Sequence, residues 1–203
     1  MQIIPPALER LIKSLSSLPG VGAKTATRLA LNILRRPVSD ARELAGALAE
    51  LHSSIQLCSR CMTFSETDPC AVCADQRRDA SIICVVEQPS DLMAIEKTDG
   101  YRGHYHILHG VLSPVDGIGP EEIKVKELLN RIHSNTIAEV FIATSSTVPG
   151  EATASYLIDR LQHFPIRLTR LACGIPMGMD IKYADQYTLA KAIESRSNVL
   201  KNP

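Results

Sequence analysis

The chain has 203 residues and no net charge; 45% of the residues are apolar and 22% are charged. This composition excludes disordered, collagen-like and membrane-spanning chains, because it supports a globular core and contains no apolar run near the roughly 18 residues that a membrane span needs. Residues 1–6 show neither the basic nor the apolar segment of an export signal, so we expect a cytoplasmic protein.

The first segment, residues 6–52, is expected to be helical because apolar residues recur there at helical spacing. Residues 18–22 read Leu-Pro-Gly-Val-Gly and form a turn between two of these helices. Gly20 and Gly22 let a ligand approach the main chain, and the free amides at the start of the second helix form an anion site. Lys24 and Arg28 lie four residues apart and therefore share one helix face behind the turn.

This turn resembles the helix–hairpin–helix motif of DNA-repair proteins, which binds the sugar–phosphate backbone. Residues 1–36 carry six basic side chains and one acidic side chain, which suggests a polyanion partner for this segment. A solvated helix face and a tight turn without a ligand are the alternatives. We predict that DNA is bound by Gly20, Gly22, Lys24 and Arg28.

Four of the six cysteines form two C-x-x-C pairs that eight residues separate. Four thiolates suit a structural Zn²⁺ site, because a closed set of ligands leaves no coordination position for a substrate. Iron or an iron–sulfur cluster stays open on the ligand types alone, whereas disulfides are not expected in a cytoplasmic chain. We predict one zinc ion per chain, bound by Cys58, Cys61, Cys70 and Cys73.

From residue 81 onward, short apolar runs alternate with helical stretches, which predicts an α/β domain with a mostly parallel sheet. Cys84, in one of these runs, is expected to be a small packing residue. His104, His106 and His109 are expected to pack in the core or lie on the surface rather than to bind a second metal ion. The predicted strands are 82–86, 105–108, 140–144 and 166–172, and the predicted helices are 89–97, 120–133, 150–163 and 184–196.

The first of these strands ends at Glu87, and a later strand leads into a loop that reaches Gly150 and Glu151. This arrangement resembles the Toprim domain of topoisomerases, primases and related nucleases, in which a Glu and a D-x-D motif hold Mg²⁺. Counting back from Gly150 puts the two Asp positions on Ser145 and Thr147, whose neutral hydroxyls are poor ligands for a hard cation. We expect a Toprim fold without catalysis. The alternative is a Toprim-type Mg²⁺-dependent nuclease or primase that uses Glu87 and Glu151.

The order of these parts resembles the bacterial RecR family of recombination mediators over essentially the whole chain. Two departures are Ser145 and Pro149, where the family usually carries Asn and Glu. The matching segments are 18–22, 58–73, 101–106, 109–120 and 150–154. The expected regions are a helix–hairpin–helix DNA-binding domain (1–53), a four-cysteine zinc finger (54–77), a Toprim domain (80–173) and a C-terminal loop and helix for oligomerisation (174–203).

The resemblance implies a non-catalytic, sequence-independent DNA-binding adaptor in recombinational DNA repair. Such a protein forms a ring or clamp as a homotetramer or homodimer and acts with RecO and RecF. Together they help load RecA at single-stranded gaps covered by single-strand-binding protein. Lys24 and Arg28 fall where the family contacts DNA, and Glu87 and Glu151 would bind partner proteins. A purely structural zinc protein is the third hypothesis, and it leaves the basic turn unexplained.

Overall fold

A computed structural model of the protein describes residues 4–134 and 136–196. The chain divides after Ile55 into two compact units. Residues 1–3 of the expected N-terminal domain, and residues 197–203 of the expected C-terminal arm, lie outside the described residues. Among the described helices, none combines the length and the apolar character that crossing a membrane requires.

Within its described residues, the first unit contains three helices. Two of them, α1 and α2, pack closely, and the side chains of Ala26 and Ala30 on α2 are completely buried. Alanine at two positions four residues apart leaves a smooth helix face that a second helix can approach. Prolines at the beginning of α1 and just before α3 explain where these helices start, since proline suits the first turn of a helix. The helices are α1 (Pro6–Ser16), α2 (Ala23–Arg35) and α3 (Val38–Ser54).

The second unit begins with a short antiparallel hairpin and one helical turn, continues as an α/β domain and ends in a helix. Single 3₁₀ turns lie at Pro114–Asp116 and Ile181–Tyr183. In chain order the other elements are β1 (Gln56–Leu57), β2 (Phe64–Ser65), α4 (Ala71–Ala74), β3 (Asp79–Val86), α5 (Pro89–Glu96), β4 (Gly103–Ile107), α6 (Val125–Ser134), β5 (Glu139–Ile142), α7 (Val148–Leu161), β6 (Arg167–Arg170) and α8 (Gln186–Glu194).

The larger sheet has the strand order β4-β3-β5-β6, and all three neighbouring pairs are parallel. The side chains of β3 alternate between two cores, as the two-residue period of a strand requires. Ile83 and Val85 belong to the core that α6 and α7 cover, whereas Cys84 and Val86 belong to the core on the other face. The predicted α/β architecture with a mostly parallel sheet is therefore confirmed.

The helix predicted for residues 120–133 begins later, at Val125. Residues 121–124 form a turn in which the side chain of Glu122 accepts a hydrogen bond from the amide of Gly119. The amide of Lys124 then donates to the carbonyl oxygen of Leu108 at 2.9 Å. Because of this long-range hydrogen bond, the Lys124 amide does not donate within a helix. Sequence periodicity does not reveal such a contact.

Candidate nucleic-acid interface and metal centre

The predicted DNA-binding turn lies between α1 and α2. Gly20 has a φ of +78°, a left-handed conformation that favours glycine. The amide of Val21 donates to the carbonyl oxygen of Leu18 at 3.1 Å, which closes the turn. Gly22 follows as the N-cap of α2, with extended backbone angles that any residue can adopt. The backbone conformation of the turn therefore explains the glycine at position 20 but not the glycine at position 22.

The start of α2 carries amides that no side chain caps. Gly22 has no side chain, and the intrahelical ladder begins with the amide of Ala26 donating to the carbonyl oxygen of Gly22. A Cβ placed on Gly22 would meet no atom within 4 Å, so no other part of the described chain crowds this N-cap position. Amides at a helix N-terminus, backed by the positive end of the helix dipole, favour an anion.

The basic side chains of α2 form a stripe behind this N-terminus. Lys24, Arg28 and Arg35 line one shallow groove of about 480 Å³, together with polar Thr27 and Asn32. None of the three basic groups forms an ion pair with any part of the chain that the structure describes. The predicted pair of Lys24 and Arg28 is therefore extended by Arg35, which the sequence analysis did not single out although it lies seven residues beyond Arg28.

The four cysteines of the C-x-x-C pairs come together in the second unit, and all four are buried. Their Sγ atoms lie within 4.8 Å of one another. The first pair lies in the turn of the β1–β2 hairpin, and the second pair lies at the N-cap and within the single turn of α4. This hairpin and helical turn bring Cys58 and Cys61 against Cys70 and Cys73.

This donor set fits a zinc ion. The neighbouring thiols of Cys70 and Cys73, together with burial, raise the pKa of Cys61 well above its usual range. A cation bound among these sulfurs would hold them as thiolates. Main-chain amides already point at two of the sulfurs: the Cys70 amide lies 3.3 Å from the Cys58 Sγ, and the Cys73 amide lies 3.5 Å from the Cys70 Sγ. These four cysteines would hold one structural zinc ion tetrahedrally and leave no coordination position open.

The zinc segment shares its core with the α/β domain instead of forming a separate module. Its cysteines are buried in the same cluster as Val86, Tyr105 and Ile107. The amide of Ile107 on the edge strand β4 donates to the carbonyl oxygen of Cys61 at 2.8 Å. The imidazole of His109 lies 2.5 Å from the carbonyl oxygen of Met62. The zinc segment therefore covers the open edge of the sheet.

The carboxylate of Glu87, the first predicted Toprim acid, forms a hydrogen bond with the main chain. Glu87 accepts a hydrogen bond of 2.6 Å from the amide of Ser145. A Cβ on Gly150 would lie 2.2 Å from the Ser145 carbonyl oxygen and 2.9 Å from a Glu87 carboxylate oxygen, so only glycine fits there. Ser145 and Thr147, which stand at the positions of the missing acids, share a hydroxyl–hydroxyl contact of 2.7 Å.

Glu151, the second acid of the nuclease alternative, forms an ion pair with an arginine. Both terminal nitrogens of Arg170, the last residue of β6, donate to the two carboxylate oxygens of Glu151 at 2.8 and 2.9 Å. These hydrogen bonds hold the pKa of Glu151 below its usual range. The pair lines a cavity of about 670 Å³ at the carboxyl ends of β5 and β6. Glu87 and Glu151 thus bind different groups of this chain. Among the described residues, the four cysteines form the single cluster of three or more metal-ligating side chains.

Two of the three histidines between residues 104 and 109 pack in the core. His104 and His106 are buried on β4, and the imidazole of His106 lies 2.6 Å from the carbonyl oxygen of Lys124. Burial lowers the pKa of His106 to about 4, so this imidazole is neutral at pH 7. Cys84 is likewise a buried residue of β3.

The fold and these sites define a class of protein: a helical hairpin unit followed by a Toprim-type α/β domain with a four-cysteine zinc centre. Family models match each part, and together they cover most of the chain. They are described as RecR, helix-hairpin-helix (residues 8–52), RecR, four-cysteine zinc finger domain (55–75), Toprim domain (81–172) and RecR, C-terminal (174–197).

The chain is also similar over nearly its full length to proteins named recombination protein RecR. That of Anaeromyxobacter sp. (strain Fw109-5) is 53% identical over 93% of this chain and 96% of its own length. Those of Desulforapulum autotrophicum and Moorella thermoacetica are each 50% identical, over 97% and 95% of this chain and 98% and 96% of their own lengths. The chain belongs to the RecR family.

Proposed function

We propose that the protein is a cytoplasmic, non-catalytic adaptor of recombinational DNA repair that binds DNA through the turn between α1 and α2. The observation that carries this proposal is the start of α2, where no side chain caps the helix amides and where a stripe of unpaired basic side chains follows along the helix. Such a surface recognises phosphate groups, which are the same at every base pair, so binding is independent of sequence.

In this proposal each region has one task. Residues 1–53 bind DNA, residues 54–77 hold structural zinc, residues 80–173 bind partner proteins through a surface that includes Glu87 and Glu151, and residues 174–203 support oligomerisation. The relatives' shared name, recombination protein, supports a role in that process. The partners are RecO and RecF, and the joint task is to load RecA at single-stranded gaps covered by single-strand-binding protein.

Two features support the absence of catalysis. Ser145 and Thr147 offer hydroxyls where Mg²⁺-dependent Toprim proteins carry two acids, and Glu151 already has a guanidinium as its counter-ion. A divalent cation bound by Glu151 would have to displace Arg170, and neither Ser145 nor Thr147 would offer it a carboxylate. The cavity beside this pair is then available to a protein partner.

The exposed apolar face of α3 supports an oligomer. Leu44, Leu48 and Leu51 recur at helical spacing on this helix and are 46%, 62% and 55% exposed. A contiguous apolar stripe on a small helical unit marks a contact surface, because leaving it in water is unfavourable. A homotetramer or homodimer that closes around DNA would bury it.

The test of the proposed function is DNA binding by the variant Lys24→Ala/Arg28→Ala. We expect this variant to bind duplex and single-stranded DNA at least tenfold more weakly than the wild type, because each lost phosphate contact removes about 1 kcal/mol of binding free energy. Affinity is measured by fluorescence anisotropy at one fixed salt concentration.

The matched control is Lys126→Ala/Arg160→Ala, which removes the same charge from exposed positions on α6 and α7. It should bind DNA with wild-type affinity. Equal loss in both double variants would show that only net charge matters and would contradict the assigned surface. The same samples are incubated with Mg²⁺ and run on gels, and DNA cleavage that Glu87→Gln abolishes would support the nuclease alternative instead.

A further inference from the structure

Arg131 connects the zinc centre to the opposite side of the sheet. It lies on α6, which packs against the core on one face, whereas the four cysteines belong to the core on the other face. Its side chain passes the edge strand β4 and reaches the loop of the first C-x-x-C pair. The sequence analysis did not single out Arg131, because Arg131 and Arg60 are 71 residues apart in the chain.

The contacts of Arg131 place its guanidinium between two main-chain carbonyls. One terminal nitrogen donates to the carbonyl oxygen of Tyr105 on β4 at 2.6 Å and to that of Arg60 at 3.0 Å. Arg60 directly precedes the ligand Cys61, whose own carbonyl oxygen accepts from the amide of Ile107 on the same strand. Arg131 thus holds the first cysteine loop against the edge of the sheet.

The charge of the zinc centre gives Arg131 a second role. One Zn²⁺ ion and four thiolates carry a net charge of two minus, and burying such a charge is unfavourable unless positive groups lie close by. Burial lowers the pKa of the Arg131 guanidinium, while the nearby sulfurs of Cys73, Cys61 and Cys58 act in the opposite direction by attracting its positive charge. Two main-chain amides also point at the sulfurs, but they supply only partial charges. The guanidinium of Arg60 is a second nearby cation, and it donates to the carbonyl oxygen of Cys73 at 3.4 Å.

We propose that Arg131 is a positioning residue of the zinc centre, which holds the Cys58–Cys61 loop against β4 and supplies positive charge beside the buried thiolates. Arg131 is not one of the four ligands. It does not depend on whether the protein binds DNA, since every group that it invokes lies in the second unit.

The first test compares the rate at which zinc is lost from the folded protein to an excess of a chelating dye. We expect Arg131→Met to lose zinc about 10-fold to 100-fold faster than the wild type, because removing a group that supports metal ligands usually lowers metal affinity by about that factor. Arg131→Lys, which restores the charge, should recover most of this difference. Lys126→Met, an exposed cation on the same helix, is the control and should lose zinc at the wild-type rate.

The second test separates charge from packing. In protein loaded with Co²⁺ instead of zinc, the thiolate-to-metal charge-transfer absorption should move to longer wavelength in Arg131→Met and return in Arg131→Lys, because a nearby cation stabilises the thiolate electrons. Arg131→Gln offers the same comparison if the Met variant does not fold. Wild-type zinc release from the Met and Gln variants would overturn the proposal, and so would an unmoved absorption band in a variant that does lose zinc quickly.

Discussion

At the scale of single residues, the two acids of the Toprim domain, Glu87 and Glu151, form hydrogen bonds with other groups of the same chain. Glu87 accepts a hydrogen bond from the amide of Ser145, and Glu151 accepts hydrogen bonds from both terminal nitrogens of Arg170. Both contacts join positions far apart in the sequence. The acids themselves could be found from their places after predicted strands, but the pairing with Arg170 required the register of β5 against β6.

His106 gives a prediction at the same scale. Its pKa is lowered to about 4 by burial, below the value near 6.5 of an unfolded chain, so the fold favours the neutral imidazole. The stability that this preference contributes is complete above pH 6.5 and is lost as the pH falls towards 4. We expect the free energy of unfolding to drop by about 1 kcal/mol between pH 7.5 and pH 5.5 from this group alone.

The measurement is urea unfolding in the presence of zinc at pH 5.5, 6.5 and 7.5, for the wild type and His106→Gln. The variant should be less stable overall, but its free energy of unfolding should depend less steeply on pH. Parallel pH profiles for the two proteins would show that His106 does not titrate in this window.

At the scale of elements, the fold does not explain why the residue before α2, Gly22, is a glycine. Gly22 has ordinary backbone angles and empty space around it, so neither strain nor packing requires glycine. We expect Gly22→Ser to leave the free energy of unfolding unchanged or raise it by about 0.3 kcal/mol, since serine is a better N-cap than glycine. The same substitution should weaken DNA binding about threefold to fivefold, because the hydroxyl takes the amides that a phosphate would use.

Thermal unfolding and fluorescence anisotropy on the same preparation check this prediction. Gly20→Ala is the comparison, because its left-handed backbone predicts a loss of about 1 kcal/mol in stability. If Gly22→Ser bound DNA as tightly as the wild type, the amides of α2 would have no part in the interface.

Element boundaries show which parts of the fold were open to prediction. The helices of the first unit and the strands of the sheet follow from local periodicity, and the four zinc ligands follow from their spacing. The beginning of α6 did not, because the amide of Lys124 bonds to Leu108 on another element. The union of the zinc segment with the core of the sheet, through Cys61 and Ile107, also depends on contacts between distant parts of the chain.

At the scale of the whole molecule, the zinc ion belongs to the α/β unit, while the proposed DNA-binding turn belongs to the first unit. We therefore expect removal of zinc by a chelator to lower the protection of amides in β4 against hydrogen exchange, because Ile107 and Tyr105 are bonded to the zinc loop and to Arg131. Amides within α2 should keep their protection. A change confined to residues 58–73 would show that the zinc segment is an independent module.

The central claim is that the chain binds DNA through phosphate contacts at the turn between α1 and α2. The most direct measurement is the slope of the logarithm of DNA affinity against the logarithm of salt concentration, for the wild type and Lys24→Ala/Arg28→Ala. Each phosphate contact contributes about 0.9 to this slope on duplex DNA, so the slope of the double variant should be shallower by about two. Equal slopes for the two proteins would contradict the claim, because the DNA would then be held by other residues.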